Sequence, residues 1–414
     1  MAERAGRSDV PSQPATYRSL FADGEFRALW LAQAISLTGD QLARVAIAFL
    51  VYARTQSALA TAIVYAITYL PWLIGGPLLG GLADRYPRRT VMVSCQLISA
   101  VLVALMAIPA MPLVLLAVLL FVVILVESPF LSARASLLVD VLPDDRYVLA
   151  SGLGQLTIQG TQVVGFALGG LLLKAVGPTD ALLLDATSFL VAAAMVQFFV
   201  RHRDSAASAG ELGGSWRRIR EGARVVFGDP RLRGLVLLAW LSFFWVVPEA
   251  LAAPYGKGDP TAIGLLLAAQ PTGAVIGGLA LTRLVRPAVR LQLMGTLALL
   301  ASVPLLLFAF TPPLPVALAL LVVCGIGTSY NLPANAAFMQ SVPAERRGQA
   351  FGLVAAGLVA GQGLSIAIAG AVAEAVGSIS AVIAIAGALG ALGALSLNGA
   401  GRRFLAAAPS AAVG

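Results

Sequence analysis

LPDDRYVLASGL, residues 142–153, is answered two hundred residues later by VPAERRGQAFGL, residues 342–353. Pro143 matches Pro343, Asp145 matches Glu345, Arg146 matches Arg346, Ala150 matches Ala350 and Gly152 matches Gly352. The register continues through Gln162 with Gln362, Gly170 with Gly370, and KAVG (174–177) with EAVG (374–377). At an offset of 198, Gly80, Asp84, Arg85 and Arg88 align with Gly278, Thr282, Arg283 and Arg286. Chance supplies one such match, not several at nearly one spacing. The chain is therefore a parallel duplication of one unit, and the flanking sequence tells what the unit is.

Of the 414 residues, 59% are hydrophobic with glycine left out, and 12% are charged. A soluble domain carries about 25% charged residues, so this chain lacks the polar side chains to cover a surface in water. That excludes an ordinary soluble enzyme, a disordered chain and a nucleic-acid binder. A membrane helix needs roughly 20 apolar residues. Stretches free of Asp, Glu, Lys and Arg run over 55–83, 90–126, 147–173, 260–282, 291–344, 348–373 and 375–401. Run 90–126 breaks at Pro109–Pro112 and run 291–344 at TPPLP (311–315), so each holds two helices. Three more apolar segments carry an embedded charge: 28–53, 179–200 and 233–254. The tally is twelve spans, six in each copy of the repeat, and none alternates as a barrel strand would.

The fold class is therefore an all-α membrane protein of twelve transmembrane helices, arranged as two pseudo-symmetric six-helix bundles about an axis along the membrane normal. The expected organisation is an N-terminal segment over 1–27, a first bundle over 28–200, a linker over 201–232 with an amphipathic helix, a second bundle over 233–397 and a tail over 398–414. With both termini in the cytoplasm, 24 of the 28 basic residues fall on the cytoplasmic side, as the positive-inside rule requires. The net charge of +8 is thus a topology signal, and its expected partner is the lipid headgroup layer rather than nucleic acid. Cys95 and Cys324 lie in apolar runs and His202 is the single histidine, so neither a disulfide framework nor a metal centre is expected. No removable leader is read at the N-terminus.

GGLADRYPRR (80–89), between spans 2 and 3, resembles the signature G-x-x-x-D-R-x-G-R-R of the major facilitator superfamily. Gly80, Asp84, Arg85, Arg88 and Arg89 match, and Pro87 stands at the glycine position. The resemblance covers the whole chain. SLTGDQLARVAIAFLVY in span 1, LLLDATSFLVAA in span 6, VPEALAAPY in span 7 and VPAERRGQAFGL after span 10 are similar to the branch holding enterobactin and macrolide exporters. That resemblance implies that the 80–89 loop clamps the two halves in one conformation. The span-5 antiporter motif G-P-x-x-G-G is met by Gly165, Gly169 and Gly170, with Phe166 at the proline position. Arg134, near the cytoplasmic end of span 4, is not a clear counterpart of the span-4 arginine of drug/proton antiporters.

A charge at the centre of a membrane helix costs about 2.5–3.5 kcal/mol on insertion scales, so each one present calls for a reason. Gln33, Ser36, Asp40 and Arg44 form a polar stripe on span 1, and Asp40 and Arg44, four apart, can pair. Glu127 stands in span 4. Asp185 and Glu249 are placed toward the outer ends of spans 6 and 7. One reading gives a cavity between the halves in which Asp40 or Glu127 takes a proton, tuned by Arg44, with Asp185 and Glu249 in coupling or gating. The other makes Asp40–Arg44 a fixed ion pair and Asp185 a buried hydrogen-bonding group. Gln155, Gln159 and Gln162 on span 5, with Asn331 and Asn335 on span 10, either line a cavity or join helices. Gly165 and Gly169 read as a close-packing face. Tyr65, Tyr69, Trp72, Phe243, Phe244 and Trp245 are candidate walls for a bulky apolar cargo or lipid contacts, and Trp30 is expected in the interfacial belt.

Together these readings give a monomeric secondary transporter, without cofactor or catalytic residues, that exports a hydrophobic or amphipathic small molecule against protons in a multi-pass cell membrane. An uptake symporter of the same fold and a non-transporting sensor or scaffold are the alternatives.

Overall fold

The computed structural model describes residues 16–79, 82–142, 145–203, 223–224, 226–343 and 346–406. Gly80 and most of the 201–232 linker, including the larger part of its expected amphipathic helix, lie outside the described residues. Among the described residues, eleven helices are long and apolar enough to cross a membrane, and one of them, Arg146–Phe199, has 54 residues. At 1.5 Å per residue that helix would reach about 80 Å, far beyond a hydrocarbon core of about 30 Å. Gly177 breaks it with φ 82° and ψ 169°, a conformation closed to side chains with a Cβ, and Pro178 then opens the next helix. Among the described residues the crossings are therefore twelve, span 5 lying before Gly177 and span 6 after it. The duplicate glycine does the same work: Gly377, φ 69°, caps span 11, Arg347–Val376, before span 12, Ile379–Ala406, begins.

Span 1 is Gly24–Thr55, capped by Asp23, whose carboxylate accepts from the Glu25 and Phe26 amides. A short helix before it, Tyr17–Ala22, starts on a Thr16/Ser19 capping box and buries Leu20 against Leu138, Leu142 and Ala150. Trp30 is held in this packing. Its ring meets Phe21 edge-on at 5.1 Å, and its indole donates to Thr157 Oγ1 of span 5 at 2.8 Å. A tertiary contact, not only an interfacial belt, thus fixes it.

Prolines bend the spans. Span 2 is split into Ala58–Ile67 and Leu70–Leu79. Span 3 is Arg88–Met106, and span 4, Leu113–Val141, contains Pro129. Span 7 advances in four pieces, Pro230–Trp240, Ser242–Trp245, Val247–Ala250 and Ala252–Tyr255. Span 8 is Pro260–Leu284. Span 9 runs from Pro287–Leu300 through Val303–Leu306 to a 3₁₀ turn at Leu307–Phe310. Span 10 is Leu314–Thr328 followed by Asn331–Ser341. The expected breaks fall where the prolines put them, with Ala110 and Thr311 turned to positive φ. Twelve crossings set the 84–89, 283–290 and 346–347 segments on one face, called here the arginine-rich face, and the 1–2, 5–6, 7–8 and 11–12 turns on the far face.

Candidate functional site

The embedded charges gather in the first bundle. Asp40 and Glu127 line one cavity of about 40 Å³ between spans 1, 3, 4 and 6, with Gln33, Ser36, Gln96 and Ser99 among its walls. That volume holds a water or two. Asp185 lies against span 1 at Gly39, where an added Cβ would run into the Asp185 carboxylate and Ser188 Oγ. Ser188 donates to Asp185 at 3.3 Å. Glu127, Asp185 and Arg44 are all close enough to Asp40 to act on it electrostatically.

Three expectations change here. Asp40 and Glu127 face a cavity inside the N-terminal bundle rather than one between the halves. Asp185 sits level with Asp40, not toward an outer helix end, because Gly39 admits it. Asp40 and Arg44 form no ion pair among the described residues. Each lines a different cavity, and that of Arg44 is lined also by Thr61, Tyr65, Thr68 and Leu120. Four-residue spacing brings two side chains to one helix face, but it does not make them an ion pair.

Glu249 belongs to the seam between the halves, where it accepts from Tyr65 Oη at 2.9 Å. Span 2 thereby bonds to span 7 within the membrane. The rest of the seam is built from the repeat. Gly170 of span 5 rests on Gly264 of span 8, backbone on backbone: a Cβ on Gly264 would sit 2.7 Å from Gly170 Cα. The duplicate Gly370 of span 11 packs on the Ala62 methyl of span 2, with the Leu59 backbone just beyond it: a Cβ there would lie 3.3 Å from Leu59 Cα. Lys174 pairs with Asp259, the N-cap of span 8, at 3.7 Å. Its duplicate Glu374 accepts from Ser57 Oγ at 3.0 Å and from the Leu59 amide at 3.3 Å, completing the cap of span 2. All four contacts lie at the far face. At the arginine-rich ends of spans 5, 7 and 11, a Cβ on Gly152, Gly234 or Gly352 would meet nothing within 4 Å.

Among the described residues, the contacts of the 80–89 loop stay in its own half. Arg88 pairs with Asp140 of span 4 and donates to the Ser136 carbonyl at 3.2 Å. Arg89 donates to Gln197 Oε1 of span 6 at 3.4 Å, and Arg85 is exposed. Asp84 is in the Leu82–Arg85 turn of helix, and its side chain lies outside the described residues, as Gly80 does. Beyond the membrane, Glu25 grips Arg203 with both carboxylate oxygens. That hydrogen bond, opposed by partial burial and helped by the charges of Glu25, Asp140 and Asp23, holds the guanidinium above its ordinary range.

Gln155 and Asn335 are exposed, and Gln159, Gln162 and Asn331 are half-buried. Asn331 donates to the Thr328 carbonyl within span 10 at 3.0 Å. Gly165 and Gly169 pack on Gln41 and Leu42 of span 1, as a close-packing face would. Of the aromatic candidates, Phe243 stacks on Trp240 at 5.8 Å and fills the space above Gly361. Trp245 donates to Tyr330 Oη at 3.4 Å. Phe243 is thus fixed inside the C-terminal bundle, whereas Trp245 also packs with Tyr65 and Tyr69, which stand 6.2 Å apart, in the cluster around Ala62 and Ile366 at the seam. The seam partners Asp259 and Ser57 were not singled out in the sequence, although the KAVG/EAVG repeat carried the signal for their counterparts.

Two kindred six-helix bundles, meeting along one face and carrying buried charge within, are the architecture of a membrane transporter built from a repeated unit. The family model of the Major Facilitator Superfamily matches residues 29–255 and 246–410, and the chain belongs to that superfamily. Macrolide efflux protein A of Streptococcus pyogenes is 26% identical over 270 residues, 62% of this chain and 66% of that protein, just under two thirds of its length. The multidrug efflux pump Tap of Mycolicibacterium fortuitum is 26% identical over 356 residues, 82% of this chain and 87% of Tap. Among solved structures, a POT family transporter, PepTSo, matches with TM-score 0.72 at 14% identity, over 95% of this chain and all of that one. An inward-facing, unoccupied bacterial homolog of the human lysosomal transporter Spinster matches with TM-score 0.66 at 16% identity, over 94% and 99%.

Proposed function

We propose that the chain is a proton-coupled exporter of hydrophobic or amphipathic small molecules in the cell membrane, with its arginine-rich face in the cytoplasm. The observation that carries the reading is the shared cavity of Asp40 and Glu127 beside Asp185 and Arg44. Three carboxyl groups and one guanidinium inside a helical bundle are expensive to keep, and a proton site is their return. That both relatives named above are efflux proteins favours export. With the arginine-rich face in the cytoplasm, as the positive-inside rule favours, the closed seam lies outside. The conformation is then closed to the outside and open to the cytoplasm, ready to receive cargo from within.

On this reading the proton reaches Asp40 or Glu127 when the seam is open and leaves when it is shut. Glu249 and Tyr65 belong to the outer gate. Arg85, Arg88 and Arg89 serve as the inner clamp in the opposite state, when Arg88 would exchange Asp140 for a partner in the other half. Gln155, Gln159, Gln162, Asn331 and Asn335 supply polar wall. The test is accumulation of fluorescent drugs in cells with and without the protein, and with and without an uncoupler. Lower accumulation that an uncoupler abolishes supports the proposal. Uncoupler-insensitive export, or unchanged export by Asp40→Asn with Glu127→Gln, removes the proton. Greater accumulation in expressing cells reverses the direction.

A further inference from the structure

The coupling proposal leaves one intramembrane cation unused. Arg134 reaches from span 4 into the junction of spans 1, 4 and 5. Its Nη2 donates to Gln33 Oε1, a neutral amide. Its Nε is buried without an acceptor. Across the junction span 5 offers Gly154, whose Cβ position would lie 3.8 Å from the guanidinium, so no side chain there answers the charge. Among the described residues no acid pairs with it, and none acts on it electrostatically. Arg44 differs: Asp40 and Glu127 both bear on it. A guanidinium keeps its proton in proteins, and a lone charge withdrawn from water is costly until it is paired.

Gln33 is well placed to hold this group ready. It is itself buried and fills one acceptor need of a fork that has five N–H donors. The remaining donors match the two oxygens of a carboxylate, sulfonate or phosphate. The side chain is half-buried, not sealed. It lies on the side of the bundle toward the arginine-rich face, the face left open while the seam is shut.

We propose that Arg134, oriented by Gln33, is an anion-recognition site, and that the cargo it receives carries an acidic group beside its apolar body. This rests on the transport reading, but it concerns binding alone. The amphipath then has both halves of its chemistry met, apolar surface along the helices and a planar bidentate partner for its acid. Lysine, a point charge without the fork, is a poorer substitute.

The test uses three fluorescent probes with one aromatic body: 1-naphthaleneacetate, its neutral amide, and the matching naphthylethylammonium. Binding is measured on the full chain in phosphatidylcholine nanodiscs, which carry no net anionic lipid. Wild type is expected to prefer the acid to the amide and the ammonium. Arg134→Gln should lose about ten- to a hundredfold in affinity for the acid, the worth of a charge-assisted bond, with the amide unchanged. Gln33→Leu should weaken the acid less, because the guanidinium remains but is no longer aimed. Arg134→Lys should recover part of the loss. Equal binding of all three probes by wild type overturns the proposal. So does a parallel loss of acid and amide in a folded Arg134→Gln protein, which would make the arginine structural. Strong competition by added phosphatidylglycerol, with no acid preference in its absence, assigns the anion to lipid and also overturns it. Drug export measured in parallel separates this failure from failure of the transport reading: an exporter without acid preference loses only the site.

Discussion

Gly264→Ala should open the far face. In the closed seam the new methyl would lie 2.7 Å from Gly170 Cα and 2.8 Å from Gly170 N. Carbon atoms in contact rest at about 3.5–4.0 Å, so spans 5 and 8 must part by several tenths of an ångström or more. The obstacle is backbone, which cannot swing aside as a side-chain tip can. Overpacking of this kind costs about 1–3 kcal/mol, and the closed state alone bears it. The open-to-closed ratio of that face should then rise roughly five- to a hundredfold. The shift is read by electron-spin distances between labels on Asp180→Cys and Ser378→Cys, at the far ends of spans 6 and 12. Both native cysteines are buried, which favours selective labelling. Gly152→Ala is the control, since its Cβ would meet nothing within 4 Å. An unchanged distance distribution in folded Gly264→Ala would show that the glycine contact does not hold the face shut.

Other outcomes follow from the same geometry. Tyr65→Phe removes the bond to Glu249; a hydrogen bond to a charged group is worth about 1.5–3 kcal/mol. The same labels should report more opening, whereas Glu249→Gln, which can still accept from Tyr65, should report less than Tyr65→Phe. Gly39→Val drives a side chain into Asp185 and Ser188 and should lower the melting temperature in detergent, with a cost of about 1–3 kcal/mol; an unshifted melt would mean that Asp185 does not pack there. Glu374→Ala leaves the Ser57 cap but takes the acceptor from the Leu59 amide, a loss of about 0.5–2 kcal/mol by analogy with side-chain caps, seen as faster amide exchange at Leu59. Equal exchange in the variant would deny the cap.

The crossings were legible because they rest on bulk properties. Apolar length, charge placement and a duplicated register survive any choice of rotamer, and Gly177 and Gly377 stand where the repeat set them. The interior of the bundle was less legible. Helical spacing puts Asp40 and Arg44 on one face, but spacing does not record that Thr61, Tyr65, Thr68 and Leu120 share the arginine's cavity while Glu127 faces the acid's cavity. Asp185 looked peripheral from its place in the chain; its depth depends on Gly39, 146 residues earlier. Tyr65 and Glu249 are 184 residues apart, and no local pattern joins them. Arg134 was read by its distance from a helix end, while its charge balance depends on what spans 1 and 5 withhold.

The two copies of the seam have diverged in one respect. Lys174–Asp259 is an ion pair with both side chains well exposed, while Glu374 is spent on a hydroxyl and an amide at a helix start. Dissolved salt weakens the first over distances of about a Debye length and reaches the second much less. Brine should therefore unzip the molecule from one edge, along spans 5 and 8, with spans 2 and 11 acting as the hinge side. A gene doubling that began with identical edges has left the protein with a handedness in how it yields.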